Sequence, residues 1–181
     1  MAERIRARRL LTEQGWLTHQ VLTHAAGVIT AIDPIPADDP VREVELLVPA
    51  LIDGHVHGGA GVDVMDEAAD ALARLSLAKA AEGVGAFLAT TVTAPLPAIL
   101  STLGRIADAM ASPLPGAQLL GSYLEGPYFT PDNKGAHDPA LFRELDLAEL
   151  DRLQQVARGT LKVVALAPEK AGALAAIRHL K

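Results

Sequence analysis

The chain has 181 residues, of which half are hydrophobic, 21% are charged and 3% are aromatic. This composition is typical of a globular protein that is long enough for one sizeable core. The net charge of −6 indicates no basic surface, so we expect neither nucleic acid nor an anionic membrane as a partner. The lack of cysteine excludes disulfides and thiolate metal sites. The sequence has no signal-peptide core and no apolar stretch of about 18 residues, so we expect a cytoplasmic protein.

Residues 1–48 predict a small β domain. Short β-branched runs between residues 16 and 33 are broken by Gly27 and then by two prolines, which is typical of hairpin strands. Residues 35–43 combine prolines with acidic residues and predict a polar loop. Alternate residues of a strand share one side, so we interpret the arginines at positions 4, 6, 8 and 9 as a solvated face.

After Leu46 the sequence alternates between predicted strands and helices. The strands are short apolar runs, and the helices show apolar residues at helical spacing. In chain order we predict a strand at 46–53, a helix at 66–82, a strand at 84–92, a helix at 95–110, a strand at 117–124, a helix at 145–157, a strand at 161–167 and a helix at 168–181. This alternation with short connections is typical of parallel βαβ units.

The four predicted units supply about half of a (β/α)₈ barrel, which needs eight units and typically about 250 residues. No Gly-x-Gly-x-x-Gly sequence follows the first strand, so a dinucleotide-binding fold is disfavoured. The chain ends inside a helical pattern with no capping residue after Lys181. We therefore expect these residues to be part of a longer protein.

Polar residues follow the predicted strands, where parallel α/β folds gather their functional side chains. His55 and His57 end the first strand and Glu125 ends the third; the other strand-end residues are Thr90, Thr91, Thr93, Pro168 and Glu169. Histidines two positions apart on a strand point to the same face, so both can bind one ion at about 2.0–2.1 Å. About 0.17 such pairs are expected by chance with six histidines, so the pair alone is a modest signal for a metal site. Its position at the end of a predicted strand strengthens that signal.

Glu125 follows an apolar run and precedes Gly126-Pro127, which predicts a rigid turn. In one interpretation the carboxylate caps backbone N–H groups of the following loop. A carboxylate aimed at the rim of such a fold otherwise needs a cation or a proton. A divalent metal shared with the two histidines is the simplest partner.

Other motifs carry weaker signals. Residues 58–63 could serve as a phosphate-binding loop, but they have neither lysine nor Walker spacing. His19 and His24 lie in the small β domain, and we interpret them as surface or hairpin residues. His179 lies near the end of the last predicted helix, where the helix dipole favours a cationic imidazole, so we assign it a structural role.

Five segments stand in a characteristic order: PALIDGHVHGG at 49–59, GVDVMD at 61–66, ATTVTAP at 89–95, YLEGPYFTPDNKGAHDP at 123–139 and VVALAPE at 163–169. Together they resemble the amidohydrolase superfamily and, within it, the N-acetylglucosamine-6-phosphate deacetylase family. The stretch from Leu124 to His137 is the most specific of them. The chain has Ala50 and Tyr123 where members commonly have glycine and histidine, and neither position is a ligand.

The resemblance implies a (β/α)₈ barrel with a small β domain, so that residues 49–181 would be the first half of a metal-dependent barrel. It implies that Glu125 is a direct ligand of the catalytic metal. His55 and His57 match a pair that binds a second metal in part of the family. Ala136 and His137 would contact the sugar phosphate. The family's two later metal histidines and its catalytic aspartate would lie beyond Lys181.

The implied activity is hydrolysis of N-acetylglucosamine 6-phosphate to glucosamine 6-phosphate and acetate, a step of amino-sugar catabolism. One or two divalent ions, zinc or alternatively iron, would lower the pKa of water from 15.7 toward about 7 and polarise the acetyl carbonyl. A carboxylate would carry the proton to the leaving amine. We expect a homo-oligomer, in the form of a dimer.

Two alternatives remain open. A dihydroorotase-like or hydantoinase-like cyclic amidase would have a carboxylated lysine at a strand end, whereas the fourth predicted strand has Lys162 at its start and no lysine at its end. The chain could also be a non-catalytic half-barrel, whose two open strand edges would invite association with another chain. We expect the 181 residues alone neither to bind metal efficiently nor to turn over substrate.

Overall fold

The computed structural model describes residues 2–36 and 41–181. The chain divides into two compact units, Met1–Ala50 and Leu51–Lys181. The polar loop expected at 35–43 includes residues 37–40, which lie outside the described residues. The first unit is a β sheet and the second alternates strands with helices.

The first unit is a four-stranded sheet with the spatial order β3-β2-β1-β4. Its strands are β1 (Glu3–Thr12), β2 (Gly15–Ala25), β3 (Val28–Pro34) and β4 (Glu43–Leu47). β2 is antiparallel to both β1 and β3, and β4 lies parallel to β1. The turn expected at Gly27 is present: Ala26 and Gly27 have φ values of 49° and 77°, as a two-residue hairpin turn requires.

The arginines of β1 do not form a purely solvated face. Glu43 of β4 accepts a hydrogen bond from Arg8 Nε at 2.6 Å and lies 3.2 Å from Arg6 Nη2. The Arg9 guanidinium lies 4.4 Å from the centre of the Trp16 ring, within cation–π range. The alternate arginines therefore pair β1 with β4, although each exposed pair contributes little energy.

The second unit is built on a parallel sheet. In chain order its elements are β5 (Leu51–Val56), β6 (Gly58–Gly59), β7 (Val62–Asp63), α1 (Ala71–Ala81), β8 (Val84–Thr90), α2 (Leu96–Ala109), β9 (Gln118–Glu125), α3 (Leu147–Ala157), β10 (Leu161–Ala165) and α4 (Ala173–Leu180). β5, β8, β9 and β10 are neighbours in that order, and every pair is parallel. This is the arrangement of four consecutive βα units, so the predicted fold class is confirmed.

The sequence predicts one strand at 46–53, but the structure divides this apolar run between two strands. Leu46 and Leu47 belong to β4 of the first unit, and β5 begins only at Leu51. Pro49 lies between them; its ring fixes φ and removes a backbone donor, so the ladder stops there.

Two helices begin five residues later than predicted. α1 begins at Ala71, not at Asp66, because the aspartates upstream cap a turn. Asp63 Oδ1 accepts from the Met65 N–H at 2.7 Å, and Asp66 Oδ2 accepts from the Asp63 N–H at 2.8 Å. α4 begins at Ala173 after a turn, and its N-cap residue Gly172 has a left-handed φ of 82°.

The predicted apolar face of α2 is buried as expected, with Ile99, Leu103 and Ile106 each 0% exposed. These residues belong to two hydrophobic clusters, one around Leu75 and Phe87 and one that includes residues of α2, β9 and α3. The longest helix, α2, has 14 residues. Within the described residues, no helix is long and apolar enough to cross a membrane.

Candidate metal centre

The histidine pair lies where β5 ends and its pairing with β8 becomes irregular. Asp53 pairs with Phe87 and Val56 with Ala89, so β5 has one more residue than β8 over this interval. Such a bulge turns the strand and re-aims its side chains. The Asp53 carboxylate accepts a hydrogen bond from the His55 N–H at 3.3 Å within this bulge.

His57 has a defined ring orientation because its Nδ1–H donates to the Thr90 carbonyl oxygen at 3.2 Å. The preceding residue is fixed by the same threonine, since the Val56 N–H donates to Thr90 Oγ1 at 3.0 Å. With Nδ1 engaged as the donor, a neutral ring presents an unprotonated Nε2 on its other side. That nitrogen is the one that faces His55 and Glu125.

Glu125 is the last residue of β9 and pairs with Ala165 of β10. The chain turns sharply after it at Gly126, whose φ is 74°. A Cβ at this position would lie 2.0 Å from Thr93 Oγ1, so only glycine fits. The turn leaves the Glu125 side chain 22% exposed at the carboxyl end of the sheet.

The three predicted ligands converge. Glu125 Oε2 lies 2.8 Å from His57 Nε2 and 3.3 Å from His55 Nε2, and the two Nε2 atoms are 3.0 Å apart. Unprotonated imidazole nitrogens and a carboxylate oxygen all present lone pairs, so they repel each other unless a proton or a cation lies between them. Within the described residues, this is the group of His, Asp and Glu side chains able to hold a metal ion.

The spacing fits a single divalent ion. Nitrogen and oxygen ligands at about 2.0–2.1 Å from one ion lie about 2.8–3.4 Å from each other, for angles between 90° and tetrahedral. The three measured separations, 2.8, 3.0 and 3.3 Å, fall in that interval. Imidazole and carboxylate are also the ligands that zinc and iron accept.

A cavity of about 720 Å³ opens beside this group. Its lining joins His57 and Glu125 to the segment 133–138, which contains Ala136 and His137, the two predicted substrate contacts. His137 Nε2 lies 3.8 Å from Glu125 Oε1, the carboxylate oxygen that faces away from the other two histidines. Two of the three predicted ligands, His57 and Glu125, therefore share one cavity with both predicted substrate contacts.

The other strand-end residues do not belong to the group of three ligands, although Thr93 lines the same cavity. Thr91 is 0% exposed, and within the described residues its hydroxyl has no hydrogen-bond partner. Glu169 follows β10, and its carboxylate accepts from Thr130 Oγ1 at 2.8 Å and from Asn133 Nδ2 at 3.3 Å. These bonds lower the pKa of Glu169, together with the bond from its own backbone N–H, which has the largest effect. Pro168 begins the turn before α4.

The weaker motifs do not join the site. Residues 58–63 form the β6–β7 hairpin, and a Cβ at Gly58 would lie 2.3 Å from the Val62 carbonyl oxygen, so the glycine serves strand packing. His179 Nε2 lies 2.5 Å from Asp151 Oδ1, which fits its assigned structural role. His24 of the first unit lies 3.8 Å from Glu3.

The sequence does not reveal that a second carboxylate, Glu149, has several hydrogen-bond donors around it; we call it the carboxylate anchor. Glu149, in the first turn of α3, accepts from Tyr128 Oη at 2.9 Å and is held by the guanidinium of Arg143. Partial burial would raise the pKa of Glu149, but the hydrogen bonds from Arg143 and Tyr128 outweigh it and lower the pKa below its usual value. Burial, and then the bond to Glu149, raises the pKa of Tyr128. The partners lie up to 21 residues apart, which is why spacing could not reveal them.

Comparison with known proteins gives a consistent result. Residues 46–180 match the model of the amidohydrolase family. The chain is 65% identical over its whole length to the N-acetylgalactosamine-6-phosphate deacetylase of Escherichia coli O157:H7, of which it covers 48%. It is 46% identical over 97% of its length to the N-acetylglucosamine-6-phosphate deacetylase of Vibrio furnissii, of which it covers 45%. The chain thus spans about half the length of these curated relatives.

Solved structures agree with the sequence comparison. N-acetyl-D-glucosamine-6-phosphate deacetylase from Mycobacterium smegmatis superposes with a TM-score of 0.89 at 31% identity, over 98% of this chain and 51% of that one. A mutant of that enzyme in complex with N-acetyl-D-glucosamine-6-phosphate also gives 0.89, at 30% identity, over 99% of this chain and 47% of that one.

Proposed function

Since this chain belongs to the amidohydrolase family, we propose that the whole protein removes the acetyl group from an N-acetylhexosamine 6-phosphate. The main observation behind this proposal is the group formed by His55, His57 and Glu125, of which His57 and Glu125 line one cavity with His137. The group lies at the carboxyl ends of parallel strands, which is where such a fold has its active site.

In this proposal the metal is a divalent ion, zinc or alternatively iron, held by Glu125, His55 and His57. A bound ion of this kind supplies Lewis-acid polarisation of the amide carbonyl and makes water more acidic. Zinc suits a mixed imidazole and carboxylate set. Whether one ion or two are bound depends on ligands contributed by the rest of the protein.

The residues of this chain have three tasks in the proposed reaction. His55, His57 and Glu125 hold the cation in place. Ala136 and His137 line the same cavity and orient the sugar or its phosphate. The Phe129 ring, 4.8 Å from the His137 ring, limits the movement of that imidazole. The catalytic aspartate and two further metal histidines would come from the part of the protein that corresponds to the other half of the relatives.

Two substrates deserve direct comparison, because they differ only in the configuration at C4. N-acetylglucosamine 6-phosphate is the substrate implied by the motifs and by the name of the Vibrio furnissii relative. N-acetylgalactosamine 6-phosphate is the second candidate, because the relative with 65% identity carries that name. The products are acetate and the corresponding hexosamine 6-phosphate, as in amino-sugar catabolism.

The cyclic amidase alternative finds no support in the described residues. Lys162 lies at the start of β10, the end away from Glu125, and its Nζ donates to the Gly159 carbonyl at 3.0 Å. Lys170, beyond the end of β10, lies 3.1 Å from Glu144. Neither lysine lines the cavity beside the histidines.

We further propose a cytoplasmic homodimer with a small phosphorylated sugar as its ligand. A sugar phosphate carries two negative charges and does not cross a membrane unaided, which supports an enzyme on the side where the sugar is phosphorylated. The negative net charge supports the absence of nucleic acid from the list of partners.

The decisive experiment measures acetate release by the whole protein, loaded with zinc or iron, from the two N-acetylhexosamine 6-phosphates. N-acetylglucosamine without phosphate and a hydantoin serve as control substrates. We expect turnover of at least one phosphorylated sugar and none of the hydantoin. Hydrolysis of the hydantoin alone, or of no substrate after metal loading, would contradict the proposal. Residues 1–181 alone, assayed in parallel, should release no acetate.

A further inference from the structure

Thr90 makes two hydrogen bonds to the segment that carries the histidines, although it is not itself a candidate ligand. It is the last residue of β8 and is 1% exposed. Its hydroxyl accepts the Val56 N–H at 3.0 Å, and its carbonyl oxygen accepts the His57 Nδ1–H at 3.2 Å. One buried residue therefore fixes the backbone before His57 and the ring of His57.

The hydroxyl is needed because of the bulge in β5. The extra residue between Asp53 and Val56 breaks the regular pairing with β8 just before the histidine. Val56 is 3% exposed, so its N–H has no access to bulk water and needs a partner in the protein. The Thr90 hydroxyl donates its own hydrogen to the Leu88 carbonyl at 3.2 Å, which leaves its lone pairs free for Val56.

The carbonyl contact selects one tautomer of His57. A neutral imidazole carries one N–H, and a carbonyl oxygen can only accept. The ring therefore keeps its proton on Nδ1 and presents the Nε2 lone pair 2.8 Å from Glu125 and 3.0 Å from His55. Without a cation, a proton on His55 Nε2, 3.0 Å from His57 Nε2 and 3.3 Å from Glu125 Oε2, offsets the repulsion between these lone pairs. In the other tautomer Nε2 would carry the proton and could not bind a metal.

From these contacts we propose that Thr90 is a positioning residue of the metal centre. Its hydroxyl holds the bulged end of β5 so that its carbonyl keeps His57 in the Nδ1–H tautomer, ready to bind through Nε2. The claim that His57 binds a metal rests on the proposed function. The claim that Thr90 sets the tautomer of His57 concerns the metal-free protein and can be tested separately. Partners of metal-binding histidines typically change metal affinity 10- to 100-fold when they are lost.

The test compares Thr90→Val, which keeps the shape of the side chain but removes the hydroxyl, with Thr90→Ser, which restores it. Thr91→Val is the matched control, because Thr91 is a buried neighbour whose hydroxyl has no partner within the described residues. Thermal unfolding establishes that each variant folds. Long-range ¹H–¹⁵N NMR on the metal-free whole protein at alkaline pH reports the tautomer of His57, and a Co²⁺ titration of the whole protein reports affinity and the ligand-field spectrum.

We expect the Nδ1–H tautomer in the wild type, Thr90→Ser and Thr91→Val, and a mixture of tautomers in Thr90→Val. We expect Co²⁺ affinity to fall at least about tenfold in Thr90→Val alone, with a changed spectrum. An Nε2–H tautomer in the wild type would overturn the proposal even if Thr90→Val does not fold. Equal losses in Thr90→Val and Thr91→Val would overturn it too, since they would reflect packing. A wild type that binds no Co²⁺ would refute the metal assignment, while the NMR result would still decide the role of Thr90.

Discussion

Two glutamates of the second unit, Glu125 and Glu149, are both largely buried and yet have opposite surroundings. The side chain of Glu149 is 9% exposed and accepts hydrogen bonds from two donors, the Arg143 guanidinium and the Tyr128 hydroxyl. The side chain of Glu125 is 22% exposed and faces three imidazoles, His55, His57 and His137. An imidazole can donate, accept or bind a metal, depending on its protonation state.

The difference separates a carboxylate that stabilises the fold from one that is available for chemistry. The hydrogen bonds of Glu149 are satisfied within the protein, and its pKa is lowered accordingly. Glu125 instead lies beside nitrogen atoms whose lone pairs repel its own unless a cation or proton intervenes. Clusters that gain stability only with a ligand are typical of functional sites. Substitutions at the two positions should therefore affect different measurements.

The largest effect is expected for Glu125→Gln. The amide keeps the size of the side chain but removes the charge that attracts a divalent cation. We expect metal affinity to fall by more than about 100-fold, beyond the range for residues that only support a ligand. The free energy of unfolding without metal should stay within about 0.5 kcal/mol of the wild type. Isothermal titration of the whole protein with Zn²⁺ and urea unfolding check the two statements, and unchanged metal affinity would remove Glu125 from the ligand set.

Glu149→Gln should show the reverse pattern. It weakens charge-assisted hydrogen bonds from Arg143 and Tyr128, which are worth about 1.5–3 kcal/mol, so we expect a loss of about 2 kcal/mol in the free energy of unfolding. Glu144→Gln is the matched control, because that side chain is 82% exposed and its pair with Lys170 should contribute less than about 1 kcal/mol. Equal stability of the Glu149 and Glu144 variants would show that the anchor is not structural.

Stability should also fall with acid through Glu149. Its folded-state pKa lies below the ordinary value of 4.5, so its contribution is complete above that value and is lost as the pH falls through the lower folded pKa. The wild type should therefore lose stability more steeply than Glu149→Gln below pH 4.5. Urea midpoints measured at a series of acidic pH values check this, and parallel curves for the two proteins would contradict it.

The smallest effect is expected for Tyr128→Phe. The ring stays in its fully buried place and only the hydroxyl bond to Glu149 is lost, while Arg143 still neutralises the carboxylate. We expect a loss of about 1 kcal/mol in the free energy of unfolding and no change in metal affinity. A loss as large as that of Glu149→Gln would mean that the tyrosine, and not the arginine, is the main partner of the anchor.

The features that follow from periodicity and strand ends could be predicted from the sequence. The buried face of α2 follows from its helical spacing, and the convergence of Glu125 with His55 and His57 follows from the shared edge of parallel strands. The role of these three as metal ligands, and of Ala136 and His137 as substrate contacts, stays a prediction.

The features that depend on bonds between distant groups could not be predicted. The late start of α1 follows from side chains of Asp63 and Asp66 that cap a turn instead of beginning a helix. The contact of His57 with Thr90 uses a backbone carbonyl, which every residue has, so no residue type marks it. The bulge in β5 likewise depends on how two strands meet, and the sequence of one strand does not reveal it.

The bonds of Glu169 and Glu149 also bear on what ligand binding would cost in entropy. Glu169 holds Thr130 and Asn133 on one side of the cavity segment, and Glu149 holds Arg143 on the other. The segment 133–138 between them is thus tethered at both ends before anything enters the cavity. A wall that is ordered in advance loses little conformational freedom on association, so more of the contact energy would appear as affinity.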